Sequence, residues 1–399
     1  MRIVHVIGSL DPASGGPPMV VGRLAAAQAQ LGYDVRIIAY DCPQQEQAIA
    51  TCRDTIPDFD QVTLGNIPLP DRRETYCGKQ AYAMTHKHLS DSEVSVVHVH
   101  GVWEPILRQA ALAAVSMNVP YIIAPHGMLH PWSLSQSKWK KKLALLMGYR
   151  KMLTGATAIH ALNSDEATHI RALGLHQTCH TLPNGVFLKE IEPLPAPGSF
   201  VRQLPELSGK PYILFLSRLH YKKGLDRLAD TFAILAEKIE HLHLVVAGPD
   251  GGDELRFREK IKAHHLDARV HLVGPLWDKS KYAAMLDAAC FCLPSRQEGF
   301  SVAITEALAV GVPVVISEAC CFGEVVEAGA GYVVPMDDSD PQQSNQGLAD
   351  ALQHVLDTQP NTQMRNAGRE LVRMRYTWPA IARQSIRYYQ QMIGAAHAR

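Results

Sequence analysis

Short apolar runs alternate with stretches of helical period along almost the whole chain. Ile3–Ile7 reads as a buried strand, followed by a Gly/Pro loop (Ser14-Gly-Gly-Pro-Pro18), a helix over Val20–Leu31 and a strand at Val35–Ala39. From Asp41 to Arg73 the pattern turns polar and irregular, so a loop-rich connection is expected there. Alternation resumes with strands at Val94–Val99, Tyr121–Ala124 and Ala158–Leu162, separated by helices near Tyr82–His88, Pro105–Met117 and Ser137–Leu153.

The densest proline cluster, Glu190–Pro211, carries no apolar period and reads as a linker. Beyond it come strands at Tyr212–Leu216, Leu242–Ala247, Val270–Val273, Cys290–Leu293, Val312–Ile316 and Tyr332–Val334, with helices between them. Helical patterns follow at Gln346–Thr358 and Asn361–Arg375, then a break at Thr377-Trp-Pro379 and a last helix to about Met392. The pattern predicts an α/β protein of two Rossmann-like domains: residues 1–188, a linker at 189–210, residues 211–376, and a C-terminal helix at 377–399.

Composition narrows the function classes. With 39 basic and 39 acidic residues the net charge is zero, so no global field argues for nucleic acid. The eight cysteines show no CxxC or zinc-ligand spacing, which fits reduced thiols. No stretch approaches the roughly 20 apolar residues of a membrane span, nor does the N-terminus read as a signal peptide. A soluble or peripherally attached protein is expected.

The chemistry concentrates on Pro294–Gly311, a loop with Glu298 running into a helix expected to start near Ser301 and carry Glu306. Strand–loop–helix units point their loops and free helix N–H groups at the carboxyl edge of a parallel sheet, where anions bind. The strand ending at Ser217 runs into Arg218-Leu-His-Tyr-Lys-Lys-Gly224, which places Arg218 and Lys223 at the same edge. Singly these are ordinary surface charges. Together with the N–H groups at Phe300–Val302 they suit a diphosphate, and the two carboxylates suit the hydroxyls of a sugar on either side of it. Ser14-Gly15-Gly16 is a turn that lets backbone approach an anion, and His126 stands before Gly127 at another strand end. The GxGxxG fingerprint is absent. His98 and His100 have no third ligand at usable spacing, and Asp338-Ser-Asp340 reads as a solvated turn; no metal is expected. One basic cluster, Lys138, Lys140, Lys141 and Lys142 with Arg150 and Lys151, reads as a solvated helix face or as a contact with anionic lipid.

The set Gly15-Gly16, Pro125-His126-Gly127, Pro183-Asn-Gly-Val186, Arg218 with Lys223-Gly224, and Glu298-Gly-Phe-Ser with Glu306 resembles the retaining glycosyltransferases of family 4, in order and over nearly the whole chain. The resemblance implies the GT-B fold, with an acceptor-binding N-terminal domain and a nucleotide-sugar-binding C-terminal domain facing across a cleft, and a last helix returning to the first. It implies that Arg218 and Lys223 neutralise the departing diphosphate with Gly299, Phe300, Ser301 and Val302 lending backbone, that Glu298 binds the donor sugar and Glu306 the ribose. It also implies that Gly15 and Gly16 approach the phosphates, His126 contacts the donor sugar, and backbone near Leu276 reads the base. Ser301 replaces a glycine common in the family, and Phe187 a common aspartate.

Transfer with retention and without a metal or other cofactor is implied, along a front-face path. UDP-glucose is expected as donor ahead of GDP-mannose, and a growing cell-surface glycan or exopolysaccharide, or its lipid-linked precursor, as acceptor. The expected location is the cytoplasm, at the inner face of the plasma membrane. A nucleotide-sugar epimerase of the same fold and a non-catalytic nucleotide-sugar-binding subunit are the alternatives.

Overall fold

A computed structural model describes residues 1–11, 16–90 and 95–397. The chain forms two compact units. One comprises Met1–Phe187 and the C-terminal segment from Trp378; the other is Leu188–Thr377.

The first unit holds a seven-stranded parallel sheet of β1 (Arg2–Ser9), β2 (Asp34–Tyr40), β3 (Thr63–Ile67), β4 (Ser95–His100), β5 (Tyr121–Ala124), β6 (Ala158–Ala161) and β7 (Thr178–Thr181), ordered β3-β2-β1-β4-β5-β6-β7. Central strands are buried on both faces, which is why they read as apolar runs, interrupted in β1 and β4 only by buried histidines and strand-end polar residues. One face carries Ile3, Ile7, Val35, Ile37 and Val96 under the Gly16–Ala29 and Trp378–His397 helices. The other carries Val4, Val6, Ile38, Val97 and Val99 against the Pro105–Ser116 helix. The terminal helix is sealed onto this unit by buried Trp378, Ile381, Ile386 and Tyr389, and Trp378 N donates to Val186 O.

The second unit holds a six-stranded parallel sheet of β8 (Tyr212–Leu216), β9 (His243–Ala247), β10 (Val270–Gly274), β11 (Cys290–Leu293), β12 (Val314–Ser317) and β13 (Gly331–Val334), ordered β10-β9-β8-β11-β12-β13. In each sheet the winding reverses direction once, between β1 and β4 and between β8 and β11. At such a switch point the loops leaving the two carboxyl ends diverge to opposite faces and open a crevice.

Three expectations need correction. Residues 189–210 are a folded part of the second unit: Asp287 accepts hydrogen bonds from Gly198, Phe200 and Val201 N–H, and Phe200 and Leu207 are buried. Pro205 opens the short Pro205–Leu207 turn at its first position, where its missing N–H costs nothing, so proline there fits folded structure as well as a linker. The polar stretch after Asp41 contains the Gln45–Thr55 helix and β3, whose sheet-edge position removed the apolar signature. The helix expected over Ser137–Leu153 is broken, with Gly148 at φ 99° between Lys138–Ala144 and Arg150–Gly155.

Candidate functional site

The second unit's site lies at its switch point. Lys223 follows β8, and Glu298 follows β11. Gly224 sits at φ 71°, where a Cβ would overlap the Pro294 carbonyl, so glycine is what lets the two loops close on each other. Arg296 N donates to Lys222 O at 2.7 Å. The Arg296 guanidinium holds both oxygens of Asp226 at 2.7 and 2.8 Å, lies over the Tyr221 ring and reaches Asp338, which also pairs with Arg227 at 2.8 Å. Burial pushes the Asp226 carboxyl up, but Arg296 outweighs it and holds it below the usual carboxylate range. Asp338 is thus an ion-pair hub, not the merely solvated turn the sequence suggested; Asp340 caps the Pro341–Asp357 helix through Gln343 N.

This brace delivers Lys223 Nζ to 2.6 Å from Glu298 Oε1, and Ser295 Oγ donates to the same oxygen at 2.7 Å. The Glu298 side chain is only 6% exposed. Among the described residues its Oε2 takes no hydrogen bond. Glu306, on the Val302–Val310 helix, is paired with Lys281 at 2.7 Å. Each carboxylate therefore carries its own lysine, which removes the repulsion that two bare carboxylates would exert on an incoming diphosphate.

Gly299 is exposed, Phe300 packs on Phe322 and Tyr376, and Ser301 is the N-cap without a capping side-chain bond. The first N–H groups of the Val302–Val310 helix are then available to an anion. Arg218 is exposed beyond β8, with its stem against Gly251, and has no ion-pair partner among the described residues. Leu276 is half-buried after Gly274-Pro275.

In the first unit His126 and Gly127 both adopt positive φ, 50° and 76°, at the end of β5. Glu166 holds that turn: its carboxylate accepts from Gly127 N at 2.6 Å and from Leu162 N at 2.7 Å. Burial raises the Glu166 pKa, opposed by these two bonds. His126 Nε2 lies 3.0 Å from His100 Nδ1, the first link in a buried line of histidines. The third ligand that the sequence did not offer to His98 and His100 is His5, and ligand atoms of the three lie within 4.8 Å of one another. Both nitrogens of each ring are hydrogen-bonded, so the three rings form part of a bonded chain. Gly16 opens the Gly16–Ala29 helix, exposed and with open space around its Cα; Gly15 lies outside the described residues.

Lys281, Ser295, Arg296, Asp226 and Glu166 escaped the sequence reading. A signal existed for Glu166, since Asn163-Ser-Asp-Glu166 is a helix-start pattern in which Asn163 Oδ1 accepts from Glu166 N. The others meet their partners only through the fold: Ser295 and Arg296 stand in the loop after β11, while Asp226 and Lys281 sit on the Leu225–Lys238 and Asp278–Asp287 helices.

Two parallel-sheet Rossmann-like units, one with a cation–carboxylate site at its strand switch point, define a doubly wound α/β architecture with an anion-facing site. Two family profiles match: "Glycosyl transferases group 1" over residues 199–371 and "Glycosyl transferase 4-like domain" over residues 15–185. The chain belongs to this glycosyltransferase family, and its fold is GT-B. Relatives include a phosphatidyl-myo-inositol mannosyltransferase of Mycobacterium leprae, 28% identical with 96% of each chain covered. Another is a GDP-mannose:cellobiosyl-diphosphopolyprenol alpha-mannosyltransferase of Komagataeibacter xylinus, 23% identical over 99% of this chain and 94% of that one. Among solved structures, sucrose-phosphate synthase of Thermosynechococcus elongatus superposes with TM-score 0.71 at 21% identity over 99% of both chains. Anabaena HepE in complex with UDP does so at 0.73 and 17%, over 98% and 100%.

Proposed function

We propose that this glycosyltransferase moves a hexose from a nucleoside diphosphate sugar to a lipid-linked glycan or glycolipid acceptor, retaining the anomeric configuration. The observation that carries the reading is the Lys223–Glu298 pair at the mouth of an uncapped helix. One of the three Lys223 N–H donors is spent on Glu298 and two are left for phosphate oxygens, while Glu298 Oε2 is left for a sugar hydroxyl. Arg218 supplies the second cation, Phe300–Val302 the backbone N–H groups, Glu306 the ribose contact and the backbone near Leu276 the base contact. Gly15 and Gly16 would offer backbone to an anion and His126 a contact to a sugar hydroxyl.

In the step proposed, the C1–O bond to the diphosphate breaks as the acceptor oxygen bonds C1 from the same face, and the acceptor proton passes to the departing phosphate oxygen. Arg218, Lys223 and the helix N–H groups stabilise the charge growing on that leaving group, an effect worth about a hundredfold or more per donor. No metal or cofactor is assigned a role.

GDP-mannose is the first donor to test, because two relatives covering nearly the whole chain are named as mannosyltransferases, one of them for GDP-mannose. UDP-glucose, the expectation from sequence, is the second; its support is a fold-level likeness to HepE. The acceptors named for both relatives are lipid-anchored. A surface on the first unit suits such an acceptor: Trp139, Leu143, Leu146 and Met147 are 57–85% exposed beside Lys138, Lys140 and Lys142. Lys141, grouped with these lysines on sequence, instead donates to Ser133 O and lies over the Trp103 ring. No described helix is long and apolar enough to cross a membrane.

The reading is tested with a panel of GDP-, UDP- and ADP-sugars, scoring thermal shift and then nucleotide release with and without a polyprenyl-diphosphate glycan or phosphoinositide. Acceptor-dependent release supports it. Nucleotide release or epimerised sugar without acceptor would indicate an epimerase, and donor binding with no turnover on any acceptor a binding subunit.

A further inference from the structure

A continuous hydrogen-bonded chain runs through the buried face of the first sheet. His160 Nε2 meets Leu182 O at 2.7 Å, and His160 Nδ1 meets His98 Nε2 at 3.1 Å. His98 Nδ1 meets Tyr389 OH at 2.7 Å, and the Gln28 amide nitrogen meets Tyr389 OH at 3.2 Å and Ser385 Oγ at 2.8 Å. Gln28 Oε1 meets His5 Nε2 at 2.7 Å, His5 Nδ1 meets His100 Nε2 at 2.9 Å, and His100 Nδ1 meets His126 Nε2 at 3.0 Å.

Two backbone carbonyls fix every proton in it. Leu182 O can only accept, so His160 carries its proton on Nε2 and accepts on Nδ1. His98 must then donate from Nε2 and accept on Nδ1, which commits the Tyr389 hydroxyl proton to His98. At the other branch Ser385 Oγ donates to Ala382 O at 2.7 Å. Both hydroxyl oxygens are therefore acceptors toward Gln28, and its NH2 must face them. Gln28 Oε1 is left to accept from His5 Nε2–H. His100 then donates from Nε2 to His5, and His126 donates from Nε2 to His100.

We infer that this chain fixes His126 as the Nε2–H tautomer, so that its Nδ1 is a hydrogen-bond acceptor for a sugar hydroxyl, with Gln28, Ser385 and Tyr389 as positioning residues. The pairing of His5 with His98 across β1 and β4 and the spacing of His98 and His100 on β4 put the rings on one sheet face, so the line is built into strand register. Burial keeps all five imidazoles neutral, which the assignment requires. That the hydroxyl belongs to a sugar rests on the proposed transferase reading; the tautomer does not.

The test has two arms. Long-range proton–nitrogen correlation spectra of the ligand-free protein labelled with ¹⁵N-histidine, with His126 assigned by its loss in His126→Asn, are expected to show a protonated Nε2 and a bare Nδ1. A protonated His126 Nδ1 overturns the inference whatever the enzyme transfers. In the Ser385→Ala/Tyr389→Phe double variant the Gln28 amide loses both acceptors that orient it, and a second His126 tautomer is expected to appear. An unchanged single tautomer there removes the positioning role.

The second arm uses deoxy and fluoro analogues of the donor hexose and, separately, of the acceptor sugar. At the position His126 reads, fluorine cannot donate, so the fluoro and deoxy analogues should lose kcat/KM equally, on the order of 10–100-fold. The series that shows the loss identifies whether donor or acceptor carries the hydroxyl. A fluoro analogue that restores activity over its deoxy counterpart at the sensitive position contradicts an accepting Nδ1. Equal activity of every analogue removes the contact.

Discussion

Lys223 Nζ lies 2.6 Å from Glu298 Oε1, although the two residues are 75 positions apart and each stands in a loop after a different strand. The pair is nearly dry on the carboxylate side, so Glu298 depends on Lys223 and Ser295 in the absence of ligand. Glu298→Gln keeps shape and an acceptor oxygen but removes the charge that strengthens a bond to a sugar hydroxyl. Steady-state kinetics should show kcat/KM down by about 10–100-fold, in line with about 1.5–3 kcal/mol for a hydrogen bond to a charged group. Wild-type kinetics in this variant would remove Glu298 from donor binding.

Glu166 is expected to act on turnover through the His126–Gly127 turn. Glu166→Ala orphans the N–H groups of Gly127 and Leu162, at about 1–3 kcal/mol for each buried donor left unmet. Urea denaturation should register that loss, and kcat/KM should fall by more than the unfolded fraction accounts for. Activity per folded molecule equal to wild type would show that the turn holds without its clamp.

The histidine chain makes stability depend on pH in a defined direction. Burial lowers the pKa of His5 and His160 to about 4 and of His126 to about 3, and drives His98 and His100 well below the ordinary value. The unfolded chain protonates these rings near pH 6.5 while the folded chain does not, so their contribution is complete above 6.5 and is lost as pH falls toward 4. Each ring contributes a slope of about 1.4 kcal/mol per pH unit within that window. Urea midpoints at pH 7.5, 6 and 5 should drop progressively. A flat profile between 6.5 and 5 would mean that the rings take up protons in the folded state.

The exposed segment around Trp139 should bind anionic surfaces. Co-sedimentation with phosphatidylglycerol-containing vesicles is expected to exceed that with phosphatidylcholine alone and to weaken with salt. Lys138→Glu/Lys140→Glu/Lys142→Glu should abolish the difference, at about 1 kcal/mol per basic residue. Lys141→Gln should alter membrane binding less, since its amine is engaged with Ser133. Equal binding to both vesicle types would assign the segment another role.

Which of these groups could be read from the chain follows from how each is placed. Buried parallel strands announce themselves as apolar runs, and Tyr212–Leu216 and Cys290–Leu293 match their expected bounds. The edge strand Thr63–Ile67 and the exposed β7 lack that signature and were invisible. Lys223 and Glu298 were legible because strand–loop–helix units place their loop residues at one sheet edge. Their contact was not, since it depends on Arg296, in the loop after β11, reaching Asp226 on the first turn of the Leu225–Lys238 helix and Asp338 in the segment after β13. His98 and His100 read as a same-face pair from their spacing alone, but His5, His160 and Tyr389 join them only through register and the return of the terminal helix.

The most direct test of the central claim is acceptor-dependent nucleotide release by wild type and Lys223→Ala, with GDP-mannose and then UDP-glucose as donor. Loss of Lys223 should reduce kcat at least about a hundredfold, with thermal unfolding still cooperative and the product of the residual reaction keeping its anomeric configuration. Near-wild-type turnover by Lys223→Ala, or an inverted product, would contradict the account of this site.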